Sequence, residues 1–119
     1  MKDTIRLLKQ GFESSTGTTP EFRTFFFTFK REFKQELESI GATNIVFSRG
    51  HFYISGFFTI DKQAYYFNLG DVRGSEYRMP NLMYRTAKDY KDYTGGSNRW
   101  VNIEKGMAEN MCWYFKVID

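Results

Sequence analysis

The 119-residue chain holds one cysteine, Cys112, one histidine, His51, and two prolines. A lone thiol excludes an intrachain disulfide, and one thiol with one imidazole leaves no Cys/His cluster, so neither a metal nor a cofactor is expected. Long apolar runs are missing too. The opening MKDTIRLLKQ interleaves charges with short apolar steps, which argues against a secretory signal or a membrane span, and no later stretch is long and apolar enough. The matching expectations are no membrane contact and a reducing, cytoplasmic setting. Nor is there an acidic excess: 17 Lys and Arg against 14 Asp and Glu give a net charge of +3. That excludes an acidic imitator of DNA and falls short of a strongly basic nucleic-acid footprint.

Aromatic residues are what the chain has in excess. They make up 19% of it, with 13 Phe and 8 Tyr, which points to a core of few large side chains or to rings used in surface contact. The length supports one core, so residues 1–119 read as a single domain. Residues 1–18 read as an arm and linker: a short helix over Asp3–Lys9, then ESSTGT at Glu13–Thr18, docked on the body or loosely attached.

The strongest pattern is Thr19–Gly41. Thr19 suits an N-cap, Pro20 the first helical position, Glu21 the positive end of the dipole, and Gly41 the stop. Phe22, Phe25, Phe26, Phe29, Phe33, Leu37 and Ile40 recur at three- and four-residue steps, which at about 100° per residue makes one apolar stripe for burial. The same wheel gathers Arg23, Lys30, Arg31 and Lys34 around Phe27, with Glu21, Glu32 and Glu36 on the other flank.

Three strands follow, over Asn44–Arg49, His51–Ile60 and Ala64–Gly70, joined at Gly50 and at the Asp61–Gln63 corner into an antiparallel meander. Alternation puts Phe52, Ile54, Phe58 and Ile60 on one face, matched by Tyr65, Phe67 and Leu69, to meet the helix. His51, Tyr53, Phe57 and Tyr66 fall on the other face, which is too aromatic to meet only water and needs either the C-terminal segment or a ligand as cover. After a loop over Asp71–Pro80, Asn81–Thr86 makes a fourth strand that runs into the polar excursion AKDYKDYTGGSN. Beyond it, Ile103, Met107, Met111, Tyr114 and Ile118 lie at helical spacing behind a cap at Asn102, although Gly106 weakens that helix and MCWYFKVI alone reads as a strand. The expected fold is therefore α+β: a long helix on a three- to four-stranded antiparallel meander, closed by a C-terminal helix in preference to a strand.

Catalytic chemistry finds little footing. A Cys112–His51 pair would need contact and a stabilised thiolate, whereas Met111, Trp113 and Phe115 beside Cys112 describe a buried, inert cysteine. Asp71, Glu76, Asp89 and Asp92 have no spacing that makes two of them converge. The TGGSN run at Thr94–Asn98 offers backbone N–H groups to a phosphate but lacks the Gly-Lys-Ser/Thr of a P-loop, and a mobile loop is the stronger reading. Interleaved basic and aromatic residues are the most positive signal: Arg85, Lys88, Tyr90, Lys91, Tyr93, Arg99 and Trp100 along the excursion, with Arg23, Phe27, Lys30, Arg31 and Lys34 on the helix. Such mixtures serve phosphates and bases or protein hot spots, and Asp89 and Asp92 tilt this one toward protein.

The order helix, three strands, helix resembles a double-stranded-RNA-binding domain, which implies phosphate contacts near the start of the last helix. Ser97–Lys105 has no Lys-rich run there, and an extra strand intervenes. The segment MYRTAKDYKDYTGGSNRW at Met83–Trp100, following FYISGFFTIDKQAYYFNLGDVR, resembles small accessory proteins carried by phages and conjugative elements, over about Phe25 to Trp100, without pointing to one named family. That resemblance implies binding to host machinery, CRISPR effectors included, rather than catalysis, and assigns no individual residue a role. The leading expectation is a non-enzymatic mobile-element protein, an anti-CRISPR candidate, docking on a host protein or nucleoprotein through the basic–aromatic residues named above. Direct nucleic-acid binding and a small Cys112/His51 enzyme are the alternatives, and the aromatic sheet face fits a homodimer interface as readily as a ligand site.

Overall fold

The computed structural model describes residues 2–10, 20–50, 52–70, 72 and 81–103. The long helix forms as its pattern demands, over Pro20–Ser39 (α2). It ends in a Schellman turn: Gly41 is left-handed at φ 92°, the Ala42 amide reaches back to the Leu37 carbonyl at 3.0 Å, and the Gly41 amide reaches the Glu38 carbonyl at 3.1 Å. Ala42 and Leu37 are both buried, which supplies the apolar contact that accompanies this motif. The expected cap Thr19 lies outside the described residues. Phe22, Phe25, Phe26, Phe29, Phe33 and Leu37 are buried in the core, with half-buried Ile40 packed against it.

Five strands follow: β1 (Thr43–Arg49), β2 (Ile54–Ile60), β3 (Gln63–Leu69), β4 (Asn81–Ala87) and β5 (Arg99–Asn102), antiparallel throughout and neighbours in chain order. The α+β meander stands, with one strand more than expected. Asn102, expected to cap a final helix, is the last residue of β5 and pairs with Asn81. Within the region that the RNA-binding comparison needed as a helix start, Arg99–Asn102 is therefore a strand. The C-terminal helix expected over the following residues lies outside those described. β2 begins three residues later than its pattern indicates, because Phe52 is left-handed (φ 61°) and the Gly50 amide closes a turn onto the Tyr53 carbonyl at 2.9 Å. The β2–β3 turn has two left-handed residues, Asp61 and Lys62, whose twist matches that of the strands they join.

The predicted inner face is the observed one: Phe52, Ile54, Phe58, Ile60, Tyr65, Phe67 and Leu69 are all buried against α2. Phe33 is the hub, stacked on Phe29 at 5.2 Å and meeting Phe67 edge-on at 5.1 Å, while Phe22 packs on Phe52 at 5.2 Å. Gly56 makes this geometry fit, because a Cβ there would run into the Phe67 ring and the Val46 carbonyl. Truncating Phe33 removes contacts to three rings, so Phe33→Ala is expected to cost about 3–5 kcal/mol in urea unfolding.

The arm is docked rather than loose over its helical part, α1 (Lys2–Gln10), with Thr4 and Leu8 fully buried. The anchor is Glu32 of α2. Its carboxylate accepts the Asp3 amide (3.1 Å), the Thr4 amide (2.7 Å) and the Thr4 hydroxyl (2.6 Å), satisfying donors that the first turn of a helix leaves open. Arg31 adds a 3.0 Å ion pair to Asp3. Partial burial works against the Glu32 charge, but the Thr4 and Asp3 donors outweigh it and hold its pKa below the ordinary 4.5. A lowered carboxylate pKa stabilises the folded form above the ordinary value, and that contribution disappears as pH falls through the lower, folded value. The protection of the α1 amides against hydrogen exchange, taken relative to the intrinsic rate at each pH, should therefore fall on acidification below the ordinary carboxylate range. Glu32→Ala should produce the same release at neutral pH, weakening α1 docking by about 1–2 kcal/mol for a partly solvated, charge-assisted set of bonds.

Candidate functional site

The outer face of α2 and the sheet face opposite it hold the residues singled out in the sequence. On α2, Arg23, Phe27, Lys30, Arg31 and Lys34 are all exposed. Phe27 is 56% exposed, touching Phe26 edge-on at 5.3 Å, and the Arg49 guanidinium from β1 lies 5.4 Å over the Phe26 ring. Arg31 is engaged by Asp3, whereas Arg23, Lys30 and Lys34 meet no carboxylate among the described residues. A row of three open cations around a ring thus runs along about 16 Å of helix, from the rise of 1.5 Å per residue between positions 23 and 34.

The opposite sheet face is covered by the polar excursion itself. Phe57 is buried, with Tyr90 stacked on it at 5.1 Å and Tyr66 and Tyr93 packed around it at 5.1 and 5.5 Å. The Tyr90 hydroxyl donates to the Asn44 carbonyl at 2.7 Å and therefore accepts from the Thr59 hydroxyl at 2.6 Å. Asn44 sits at a bulge where the β1–β2 register slips, with φ at 52°, and Tyr90 satisfies the carbonyl that the bulge turns outward. The C-terminal segment expected to cover this face lies outside the described residues. Among those described, residues 88–96 do the covering.

Arg85 is not a surface contact: it is 3% exposed, its guanidinium lies 4.6 Å over Tyr66, and it donates to the carbonyls of Thr86 (3.1 Å) and Asp92 (2.7 Å). Tyr90 is likewise taken up internally. Lys88 and Lys91 are exposed, as are Tyr93 (64%) and Trp100 (62%). Arg99 and Trp100 are neighbours in β5 but point to opposite faces, paired with Tyr84 and Met83 respectively. α2 packs on the Phe58 face and the excursion on the Phe57 face, so Tyr90 and Tyr93 lie across the sheet from the α2 set, whereas Arg99, paired with Tyr84 beside Phe67, is on the α2 side.

Two of the loop amides offered to a phosphate, those of Thr94 and Gly95, are also spoken for. Asp92 accepts the amides of Lys88 (3.0 Å), Thr94 (3.2 Å) and Gly95 (2.8 Å), with Arg85 at 4.0 Å. Those amides hold its carboxyl below the ordinary carboxylate range. The loop cradles an anion, and the anion is its own side chain. Asp89 does similar local work, accepting the Lys91 amide at 2.8 Å. Asp71, Glu76, His51 and Cys112 lie outside the described residues. Among the described residues no group of three or more His, Cys, Asp or Glu is placed to hold a metal, and no helix is long and apolar enough to cross a membrane. Lys62 carries one signal in the sequence, a turn without glycine at a position that favours one.

Comparison with models of protein families, with curated proteins and with solved structures finds no match. Asp92→Ala is expected to release the loop. Exchange at the Lys88, Thr94 and Gly95 amides should rise sharply while exchange within α2 stays unchanged.

Proposed function

We propose that the protein is a non-enzymatic binding protein that docks on an acidic surface of a protein or nucleoprotein through the outer face of α2. One observation carries this reading: Phe27, a large ring more than half exposed, lies among Arg23, Lys30 and Lys34, none of which meets a carboxylate among the described residues. An exposed ring inside a set of open cations combines an apolar anchor with surrounding charge that steers an acidic partner, an apolar centre with a charged rim. The resemblance to phage and conjugative-element accessory proteins favours host machinery, CRISPR effectors included, as that partner. Arg85 and Tyr90 leave this surface, and Arg31 serves it only as far as its pair with Asp3 allows.

The test is affinity capture from host lysate, with and without nuclease, by the wild-type protein and by the triple variant Phe27→Ala/Lys30→Glu/Lys34→Glu. All three side chains are exposed, so the variant should keep its unfolding midpoint. A nuclease-resistant partner held by the wild type and lost by the variant is the expected result. Equal capture by both would overturn the placement on α2, and capture abolished by nuclease and by moderate salt would assign the surface to nucleic acid directly.

A further inference from the structure

A cavity of about 460 Å³ opens between the β2–β3 turn and the Asp92 loop. It exists because one cross-strand row is small. Thr59, Ala64 and Ala87 are register partners across β2, β3 and β4, whereas the adjacent row on the same face, Phe57, Tyr66 and Arg85, is filled by large side chains on which the loop rests. The loop rests on the large row, and the small one leaves an open recess beside it. Gly95 and Gly96 form the wall. Gly96 is left-handed at φ 78° and lies so close to the Thr86 carbonyl that a Cβ would collide with it. Gln63 closes the end of the row by donating to the carbonyls of Ala64 (2.9 Å) and Ala87 (3.0 Å).

The rim is positive. Lys62 and Lys88 both line the opening, both are exposed, and neither meets a carboxylate among the described residues. The only acidic lining residue, Asp92, is turned inward to three backbone amides and toward Arg85, so its charge is already answered. Lys62 also holds a left-handed backbone (φ 69°) that a glycine would adopt more easily, a kind of local strain that gathers at ligand sites.

We propose that this cavity binds a small phosphorylated molecule, its phosphate held between Lys62 and Lys88 and its organic part on the Thr59–Ala64–Ala87 floor. Two mobile ammonium groups suit a compact tetrahedral dianion better than a planar carboxylate, which favours the fork of an arginine. The volume lies within the range of small-molecule sites and exceeds what a bare phosphate fills. The proposal is independent of the α2 surface, which uses other residues on the other side of the sheet.

The test is an amide chemical-shift titration of the full chain with adenosine monophosphate, pyrophosphate, adenosine and a short single-stranded oligonucleotide. Adenosine monophosphate and pyrophosphate should move the Lys62, Gln63, Lys88, Gly95 and Gly96 amides saturably, and adenosine should not. Lys62→Gln/Lys88→Gln, two exposed sites whose exchange leaves the rest of the spectrum in place, should weaken adenosine monophosphate by at least about tenfold. Ala64→Leu, which fills the floor, should weaken adenosine monophosphate more than pyrophosphate. No saturable shift with either phosphate compound, equal shifts with adenosine, or shifts that persist in the double lysine variant would overturn the proposal. Tighter, lysine-dependent binding of the oligonucleotide would overturn the small-molecule assignment in favour of a polynucleotide.

Discussion

Phe57 and Phe58 are adjacent in β2 and point to opposite faces of the sheet, and both are buried. A sheet with rings on both faces has to be covered twice, since each exposed ring forfeits roughly 1.5–3 kcal/mol of burial. The inner cover is α2, whose phenylalanines meet Phe47, Phe52 and Phe67 ring to ring. The outer cover is a stretch with no regular structure, so its hold on the sheet has to come from side chains. Tyr90 supplies the ring and a hydroxyl with two partners, and Asp92 supplies the internal bonds that fix the chain path. Arg85 joins the two, lying on Tyr66 below while donating to the Asp92 carbonyl above.

The inner layer was legible because several kinds of signal agreed. Helical spacing, a proline near the start and a glycine at the stop all describe α2, and the alternation of β2 and β3 predicts which residues it covers. The outer layer was illegible for a physical reason. KDYKDYTGGSN is polar and rich in turn residues, and nothing in its spacing says that Asp92 will collect three amides or that Tyr90 will lie flat on Phe57. Arg85 was partly legible: in NLMYRTA it alternates with Leu82 and Tyr84, which places it on the outer face, but its partner Tyr66 is fixed only by strand register. β5 escaped notice because Arg99–Asn102 is four residues long and begins with two exposed side chains.

Charge tells a related story. Composition gives a mild excess of cations spread over the chain, but the fold consumes some of them. Arg31 pins α1 through Asp3, and Arg85 pins the outer loop. Among the residues considered for function, the cations left without a carboxylate among the described residues fall into two groups, Arg23, Lys30 and Lys34 on α2, and Lys62 and Lys88 at the cavity with Lys91 three residues beyond Lys88. A modest net charge is thereby concentrated into two local fields, each beside a feature that gives it specificity: an exposed ring in one case, a shaped recess in the other.

The recess depends on the outer loop being fixed. Had Thr94–Asn98 been a free loop, its amides would have been open to any anion and no cavity would persist beside it. Because Asp92 occupies the Thr94 and Gly95 amides and Gly96 seats against Thr86, the wall stands before any ligand arrives. A ligand then spends little of its binding energy on ordering the chain, the condition under which two lysines and a shallow floor suffice to hold a small molecule. The carboxylate that removed the phosphate cradle from the loop is thus the group that keeps a different anion site open beside it.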